Sequence, residues 1–187
     1  MLSKEKLRKK YSKIRKKKYF EVNKNFFKPL NKVLDSLSTK KKIYFSIYYP
    51  SNHEVNTLSF LEFLKEKKKV IPLLPCLTNK NNMVFCKWEY LDVLKVNKYG
   101  MLEPELSQTN FVPNIMLVPL LAFDQNNHRL GYGKGYYDNF LNKYLKKNKT
   151  IITIGVAFSF QKYDKLPTSK LDVKLDYVLT ENKMIKQ

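Results

Sequence analysis

Apolar side chains recur at helical spacing through the first 42 residues. They repeat mostly at intervals of three or four in two runs, which consist of Leu7, Tyr11 and Ile14 and of Phe26, Leu30, Val33 and Leu37. The spacing predicts two helices, each with a narrow apolar stripe. Because lysines fill the positions between the apolar residues, we expect both helices to lie on the rest of the chain with a cationic outer face.

Several later runs are apolar at almost every position. They predict strands over 43–49, 70–74, 115–123 and 151–158, with an edge strand over 83–87. The runs 115–123 and 151–158 are typical of central parallel strands that helices cover on both faces. Residues 99–104 read as an irregular loop.

Helical stripes separate these strands. One helix is predicted over about 57–67, and a second stripe follows Tyr136 and contains Tyr137, Phe140, Leu141 and Tyr144. The alternation predicts an α/β fold with a largely parallel, doubly wound sheet flanked by helices. We expect a single domain over residues 1–187, with 1–42 forming a basic helical segment packed on it. Ligands of such sheets bind beyond the carboxyl ends of the strands.

The positive charge is unevenly distributed. The net charge is +20, and residues 1–42 hold 16 Lys or Arg against three acidic residues, a surplus of 13. A basic surface attracts nucleic acids, anionic lipids and polyanionic small molecules through the same field. Aromatic residues beside cations, as in Lys17-Lys18-Tyr19-Phe20, leave open a basic nucleic-acid-binding protein as an alternative function.

Two cysteines and the absence of long apolar segments narrow the class of protein. Cys76 and Cys86 match neither a zinc spacing nor a disulfide-dense secreted scaffold, so we expect structural thiols. No apolar run approaches the ~20 residues that a membrane span needs. The sequence therefore predicts a cytoplasmic protein without a membrane partner.

A glycine-rich segment lies between the strand that ends at Phe123 and the helix near Tyr136. Three of the five glycines in the chain are Gly131, Gly133 and Gly135. Alternating glycines permit positive φ and bring backbone N–H groups close to an anion, and the helix N-terminus behind them adds further donors. Arg129 and Lys134 supply full charges for phosphate oxygens. The spacing is neither a Walker A nor a dinucleotide-binding pattern, although it predicts a phosphate site.

The longer string Asp-x-x-x-x-Arg-Leu-Gly-x-Gly-x-Gly-Tyr-Tyr-Asp, residues 124–138, resembles the most diagnostic motif of the 5-formyltetrahydrofolate cyclo-ligase, or methenyltetrahydrofolate synthetase, family. Segments 4–8, 54–57, 99–104 and 166–181 are similar to further motifs of that family. The resemblance implies an enzyme that uses ATP to convert 5-formyltetrahydrofolate into 5,10-methenyltetrahydrofolate, with release of ADP and phosphate.

The resemblance also implies a role for individual residues. Lys134 and Arg129 would be catalytic, and Mg²⁺ would be held by Asp138 and Asp172. ATP would be bound by Lys4, Arg8, Arg129, Leu130, Gly131, Tyr132, Gly133, Lys134, Gly135, Tyr136 and Tyr137. The folate would be bound by Tyr49, Glu54, Asn56, Met83 and Tyr136. We expect a monomer without a nucleic-acid partner, whose cationic N-terminal face would suit a polyglutamylated folate.

The chain departs from the family pattern at four positions. Asn127 replaces a glycine, although asparagine tolerates the left-handed conformation such a turn requires. Tyr132 replaces a basic or polar residue and so removes a phosphate contact. Ser169 and Leu171 stand where the family often has an acidic residue and a His or Asn. These last two leave open a non-catalytic folate or nucleotide binder of the same fold.

Overall fold

A seven-stranded sheet forms the centre of the protein. The computed structural model describes residues 2–65, 67–78, 80, 82–106, 111–145 and 150–187. Its strands are β1 (Ile43–Ser46), β2 (Val70–Leu77), β3 (Met83–Lys87), β4 (Leu94–Val96), β5 (Leu102–Pro104), β6 (Ile115–Pro119), β7 (Ala122–Phe123), β8 (Arg129–Leu130), β9 (Ile152–Val156), β10 (Tyr177–Leu179) and β11 (Met184–Lys186). Its α-helices are α1 (Lys4–Lys18), α2 (Leu30–Asp35), α3 (Leu58–Lys65) and α4 (Tyr136–Leu145), and short 3₁₀ helices span Lys24–Phe27 and Ser159–Gln161.

The strand order of the large sheet is β11-β10-β9-β6-β1-β2-β3. The five inner strands pair in parallel, whereas β3 and β11 join the two edges antiparallel. Helix α3 lies in the connection between β1 and β2, and α4 lies in the connection between β6 and β9. The predicted largely parallel α/β sheet is therefore confirmed, and so is the edge position of β3.

Both faces of the sheet are covered. Along β6, Ile115 and Leu117 pack into one apolar cluster with α2 and α3, while Met116 and Val118 pack into a second cluster with α4. All four of these side chains are fully buried. This two-sided burial explains why β6 is apolar at every position instead of alternating.

Helix α1 is fixed to the sheet by a small third cluster. Ser3 accepts a hydrogen bond from Lys6 N and caps the helix. Leu7 and Tyr11, which are 0% and 4% exposed, pack against Leu121 and against residues of the β7–β8 hairpin. Lys16, Lys17 and Lys18 are exposed. The predicted basic helix with a cationic outer face is confirmed, and none of the helices in the described part of the chain has the length and apolarity to cross a membrane.

Several boundaries differ from the sequence prediction. The run 115–123 is two strands, because the chain turns after Pro119 and β7 pairs with β8. The loop predicted over 99–104 contains β5, which pairs antiparallel with β4. The second N-terminal helix is divided into a 3₁₀ turn and α2, with Pro29 as the cap between them. The helix predicted over 57–67 is α3, and Glu66 lies outside the described residues. The two C-terminal strands were not predicted.

The prediction of unpaired thiols was wrong. Cys76 on β2 and Cys86 on β3 form a disulfide in this structure. The antiparallel register pairs Cys76 with Val84 and Leu74 with Cys86, so the two cysteines are diagonal neighbours on one face. Cross-strand proximity of this kind depends on register, which the ten-residue spacing alone does not reveal.

Candidate active site

A cavity of about 520 Å³ opens at the carboxyl ends of β1, β2 and β6. Tyr48 and Tyr49 follow β1, Leu77 ends β2, and Pro119 ends β6, and all four line it. This is the edge at which ligands of open parallel sheets bind. The fold therefore places the cavity where the sequence predicted a ligand.

Nearly all residues that the sequence singled out line this cavity. They are Lys4, Arg8, Tyr49, Glu54, Met83, Arg129, Leu130, Gly131, Tyr132, Gly133, Lys134, Gly135, Tyr136, Tyr137, Asp138 and Asp172. They come from α1, the segment after β1, strand β3, the stretch from β8 to the first turn of α4, and the segment before β10. Five parts of the chain that are distant in sequence thus converge on one site.

Asn56 is the predicted folate residue that the structure does not bring to the cavity. Its Oδ1 accepts a hydrogen bond of 3.0 Å from Leu58 N, at the start of α3. Its Nδ2 donates to Glu21 Oε1 at 2.7 Å. The side chain is held by the backbone at the start of α3 and by the segment after α1, because an asparagine oxygen readily accepts a hydrogen bond from the backbone N–H two residues on.

The glycine-rich loop, residues 131–135, has the geometry of an anion cradle. Gly133 and Gly135 have φ of 98° and 69°, the left-handed region that favours glycine. A Cβ atom on Gly133 would lie 3.1 Å from Arg8 Cζ, so the loop and α1 approach closely. Helix α4 begins directly behind the loop at Tyr136, which directs the free N–H groups of its first turn toward the same space.

Arg129 carries a buried charge whose donors are not all used. Its side chain is 5% exposed, and its Nη2 lies 2.9 Å from Asp138 Oδ2. Despite that ion pair, Nε and Nη2 have no aligned hydrogen-bond partner among the described residues. An unsatisfied buried donor on a charged group is costly in free energy. A polyanionic ligand in the cavity would remove that cost.

Helix α1 contributes two cations to the same end of the cavity. Arg8 Nε donates to the carbonyl oxygen of Gly131 at 2.9 Å, so the guanidinium lies against the glycine-rich loop. Lys4 Nζ donates to Asp172 Oδ2 at 2.5 Å. One helical turn separates the two residues, which places both on the face of α1 that meets the loop.

Asp138 and Asp172 lie beside each other in this region. Asp138 Oδ1 accepts a hydrogen bond of 3.2 Å from the backbone N–H of Val173, the residue after Asp172. Although burial acts to raise it, the hydrogen bonds from Lys4 and from Ser169 N–H hold the pKa of the Asp172 carboxyl below its ordinary value. Each of the two carboxyl groups faces a cation, because Lys4 lies beside Asp172 and Arg129 lies beside Asp138.

The opposite side of the cavity contains a buried carboxylate. Glu54 is 6% exposed, and its Oε2 accepts from Ser51 N at 2.8 Å. Its Oε1 accepts from the hydroxyl of Tyr132 at 2.5 Å. Burial raises the pKa of Glu54, and the hydrogen bond from Tyr132, the charge of Arg15 and the bonds from Ser51 oppose that rise.

The β4–β5 hairpin forms another wall. Glu103 Oε2 accepts from Leu77 N at 3.1 Å, which fixes the hairpin to the end of β2. At its turn, Tyr99 accepts a hydrogen bond of 2.9 Å from Tyr136, and Lys134 Nζ lies 5.3 Å from the centre of the Tyr99 ring. The same hydrogen bond raises the pKa of Tyr136 to about 12 and lowers the pKa of Tyr99.

The departures from the family pattern have local explanations. Asn127 has φ of 56° and is buried, so it adopts the left-handed conformation that the sequence predicted. Ser169 and Leu171 line the cavity, where Ser169 contributes its backbone N–H to Asp172 at 2.6 Å. Leu171 is 70% exposed. The hydroxyl of Tyr132 forms a hydrogen bond to Glu54, so this side chain does not substitute for the phosphate contact of the basic or polar residue usual at its position.

Sequence reasoning missed Arg15, a fully buried cation on α1. Its exposed fraction is 1%, and its guanidinium donates to Asn52 O, to Leu120 O and to the hydroxyl of Tyr132. The sequence did contain a signal for its burial, because Arg15 continues the four-residue spacing of the apolar residues Leu7 and Tyr11. A cation in the apolar stripe of a helix indicates a buried partner.

The comparisons with known proteins all indicate the same family. Residues 1–181 match the 5-formyltetrahydrofolate cyclo-ligase family. A 5-formyltetrahydrofolate cyclo-ligase of Haemophilus influenzae is 31% identical over 140 residues, which cover 72% of this chain and 73% of that protein. One of Mycoplasma genitalium is 32% identical over 138 residues, covering 72% of this chain and 70% of that protein.

Two solved structures share the fold over nearly the whole chain. The NMR structure of 5,10-methenyltetrahydrofolate synthetase from Aquifex aeolicus superposes with a TM-score of 0.69 and 28% identity, covering 98% of this chain and 92% of that one. A 5,10-methenyltetrahydrofolate synthetase from Mycoplasma pneumoniae gives a TM-score of 0.66 at 28% identity, covering 95% and 98%. The similarity therefore includes the N-terminal segment as well as the sheet.

The unpaired donors of Arg129 predict polyphosphate binding. Inorganic tripolyphosphate should bind the wild-type protein and raise its melting temperature, and Arg129→Gln should weaken binding about tenfold or more, since a hydrogen bond to a charged group contributes ~1.5–3 kcal/mol. Isothermal titration calorimetry measures the affinity. Lys143→Gln, an exposed change on α4 outside the cavity, serves as the control and should bind like wild type. Equal affinity in the folded Arg129→Gln protein would contradict the anion site.

Proposed function

Because the chain belongs to the 5-formyltetrahydrofolate cyclo-ligase family, we propose that it converts 5-formyltetrahydrofolate into 5,10-methenyltetrahydrofolate, with ATP converted to ADP and phosphate. The observation that carries the proposal is the buried guanidinium of Arg129, which has unused donors beside the glycine-rich loop. A triphosphate suits this cationic end of the cavity, and a folate suits the end that contains Glu54 and Met83.

The chemistry couples ring closure to phosphoryl transfer. The formyl oxygen attacks the γ-phosphorus of ATP, and ADP leaves. The neighbouring folate nitrogen then attacks the activated formyl carbon and loses its proton, and phosphate departs with the former formyl oxygen. An amide-like oxygen is a poor leaving group, whereas phosphate is a good one. The protein's contribution is therefore to position both substrates and to stabilise negative charge.

The cationic end supplies that stabilisation. Arg129 offers a planar fork of donors from a buried position, and the exposed Lys134 offers a mobile point charge at the mouth of the loop. The backbone N–H groups between Gly131 and Gly135 add donors without side-chain bulk. Lys4 and Arg8 extend this charge along α1 and would hold the nucleotide.

The carboxylates at this end fit a magnesium ion. Mg²⁺ in nucleotide sites is held by one or two carboxylates together with phosphate oxygens and waters. Asp138 and Asp172 are such a pair, and the described residues contain no cluster of three or more metal-ligating side chains that would suit an all-protein site. A bound Mg²⁺ would neutralise charge on the phosphates and fix their orientation. Arg129 and Lys4, which now face these carboxylates, would then be free to contact phosphate oxygens.

The other end of the cavity suits the folate. Glu54 Oε1 has one protein partner and can accept a second hydrogen bond, which matches the N–H donors of the pterin ring. Met83 is 8% exposed and Tyr49 is partly buried, and both provide apolar surface beside it. The hydrogen-bonded tyrosines Tyr99 and Tyr136 also line the cavity, with Lys134 of the glycine-rich loop beside the Tyr99 ring.

The alternative functions make different demands on the same residues. A nucleic-acid-binding protein would use the exposed lysines of α1 additively and would not need the cavity. A non-catalytic binder would retain both ligands without turnover, and the exposed Leu171 at the cavity rim is the residue that would point to it. A single domain, a cytoplasmic location, a monomeric state and a preference for polyglutamylated folate stay predictions.

The decisive experiment is ATP-dependent formation of methenyltetrahydrofolate by the purified protein, followed by the absorbance of the product. Wild type should turn over only with ATP present, and Lys134→Ala should lower kcat by about 10²–10³ because a charge that faces the transferring phosphoryl group is removed. Lys143→Ala should retain wild-type turnover. Thermal unfolding should be similar in all three proteins, since a lone loop lysine contributes little to stability. Unchanged kcat in Lys134→Ala would refute its assignment to the phosphates.

The placement of the nucleotide predicts a difference between two groups of cations on α1. The double variant Lys4→Ala, Arg8→Ala should raise KM for ATP about tenfold or more, because both side chains face the cavity. The triple variant Lys16→Ala, Lys17→Ala, Lys18→Ala changes the same helix and more charge but should leave KM within about twofold, because exposed charges are screened. Steady-state kinetics at fixed folate measures both. The reverse order of effects would place the nucleotide elsewhere.

The magnesium proposal predicts a metal-dependent gain in nucleotide affinity. Calorimetric titration of ATP should show tighter binding with Mg²⁺ than without it, and Asp172→Asn should reduce that gain about tenfold. Asp172→Asn also releases Lys4 from its ion pair, which would change ATP affinity by itself. The ratio of the ATP affinities with and without Mg²⁺ is therefore compared, because this separate effect cancels in it. Asp164→Asn, an exposed carboxylate outside the cavity, is the matched control. A gain that survives in Asp172→Asn would remove this residue from the metal site.

A further inference from the structure

Three side chains form a continuous polar link across the back of the cavity. Arg15 Nη2 on α1 donates to the hydroxyl of Tyr132 at 2.6 Å. That hydroxyl donates to Glu54 Oε1 at 2.5 Å. The link connects α1, the glycine-rich loop and the segment after β1, which are 39 to 117 residues apart in sequence. It joins the nucleotide end of the cavity to the folate end.

The direction of each hydrogen bond is fixed by chemistry. Arg15 can only donate, and an ionised Glu54 can only accept, so the hydroxyl between them must accept from the first and donate to the second. Burial and the nearby Glu54 charge raise the pKa of Tyr132 far above its ordinary value, which keeps the proton on the hydroxyl. The other donors of Arg15 go to Asn52 O and Leu120 O, which hold the guanidinium in place.

We propose that Tyr132 is a positioning residue for the folate, whose hydroxyl holds the Glu54 carboxylate ready for substrate and ties it to the glycine-rich loop. The inference rests on the proposed function in taking the folate as the ligand of Glu54. It assigns a role to a residue that stands where the family usually has a basic or polar one. The phenol acts on the substrate only through Glu54.

Geometry explains why Glu54 needs this support. One oxygen is held by Ser51 N–H, so the hydroxyl of Tyr132 fixes the other oxygen and sets which lone pair faces the cavity. The ring of Tyr132 lies 5.5 Å from the Arg15 guanidinium, which restrains the phenol in turn. Without the hydroxyl, Glu54 would rotate toward Ser51 or take up a proton.

The pKa of Glu54 provides a measurable test of the role of Tyr132. The described ionisable groups that interact with its charge are Arg15, Tyr132, Tyr48 on the segment after β1 and Tyr137 on α4. Burial already raises the pKa of Glu54, and the hydrogen bond from Tyr132 opposes that rise. Removing the hydroxyl should therefore raise the pKa further. If substrate needs the ionised carboxylate, the acidic limb of kcat/KM for the folate moves to higher pH.

The test compares Tyr132→Phe with Tyr11→Phe. Tyr132→Phe keeps the ring and removes only the hydroxyl. Tyr11→Phe removes the phenol hydroxyl of a residue on α1 itself, which donates to Lys162 O at 3.0 Å, outside the cavity. Tyr132→Phe should raise KM for 5-formyltetrahydrofolate about tenfold, leave KM for ATP within about twofold and shift the acidic limb upward. Tyr11→Phe should leave all three unchanged.

A double-mutant cycle shows whether Tyr132 acts through Glu54. In a Glu54→Ala background, Tyr132→Phe should change calorimetric affinity for 5-formyltetrahydrofolate less than about twofold, because the acceptor is gone. Additive losses, or an acidic limb that stays in place, would overturn the inference. Absence of ATP-dependent turnover in wild type would instead refute the proposed function. A folded Tyr132→Phe protein with wild-type constants would refute the inference alone.

Discussion

The packing of α1 against the β7–β8 hairpin is the constraint on which the site depends. Leu7 and Tyr11 are almost completely buried there, and their burial fixes the rotation of the helix. That rotation turns Lys4 and Arg8 toward the glycine-rich loop and Arg15 into the interior. The largest concentration of positive charge in the sequence is thereby divided. Lys4 and Arg8 line the cavity and Arg15 is buried, while Lys16, Lys17 and Lys18 are exposed to solvent. A net charge of +20 alone does not choose among nucleic acids, anionic lipids and small polyanions, whereas the packing of α1 directs Lys4 and Arg8 into one cavity.

The cavity combines two electrostatic environments within about 520 Å³. At one end Arg129 and Lys4 face the carboxylates of Asp138 and Asp172, and Arg8 lies against the glycine-rich loop, which suits a triphosphate with a divalent ion. At the other end burial raises the pKa of Glu54, although hydrogen bonds oppose the rise. Tyr132 connects the two ends, because the residue belongs to the glycine-rich loop and its hydroxyl forms a hydrogen bond to Glu54.

Sheet topology explains how distant segments meet. The parallel order of β1, β2 and β6 directs their carboxyl ends to one edge, and the loops after them all enter the same space. The β4–β5 hairpin closes one wall through the hydrogen bond between Glu103 and Leu77 N. The disulfide between Cys76 and Cys86 joins β2 to β3, and Cys76 lines the cavity. The site is consequently supported by rigid strands on one side and by loops on the other.

The sequence by itself determined the central strands, the main helices and the position of the glycine-rich motif. Apolar runs specified the central strands, and glycine spacing specified a cradle whose positive φ values at Gly133 and Gly135 the structure confirms, because both depend on local backbone sterics. Tertiary structure decided the rest. Tertiary contacts decide whether Asn56 is held at the start of α3 or faces the cavity, and whether Arg15 is a surface cation or a buried donor. They also decide whether the two cysteines meet across β2 and β3. Such contacts arise from register and packing between residues far apart in sequence, and even the helical spacing that signals the burial of Arg15 does not reveal its partners.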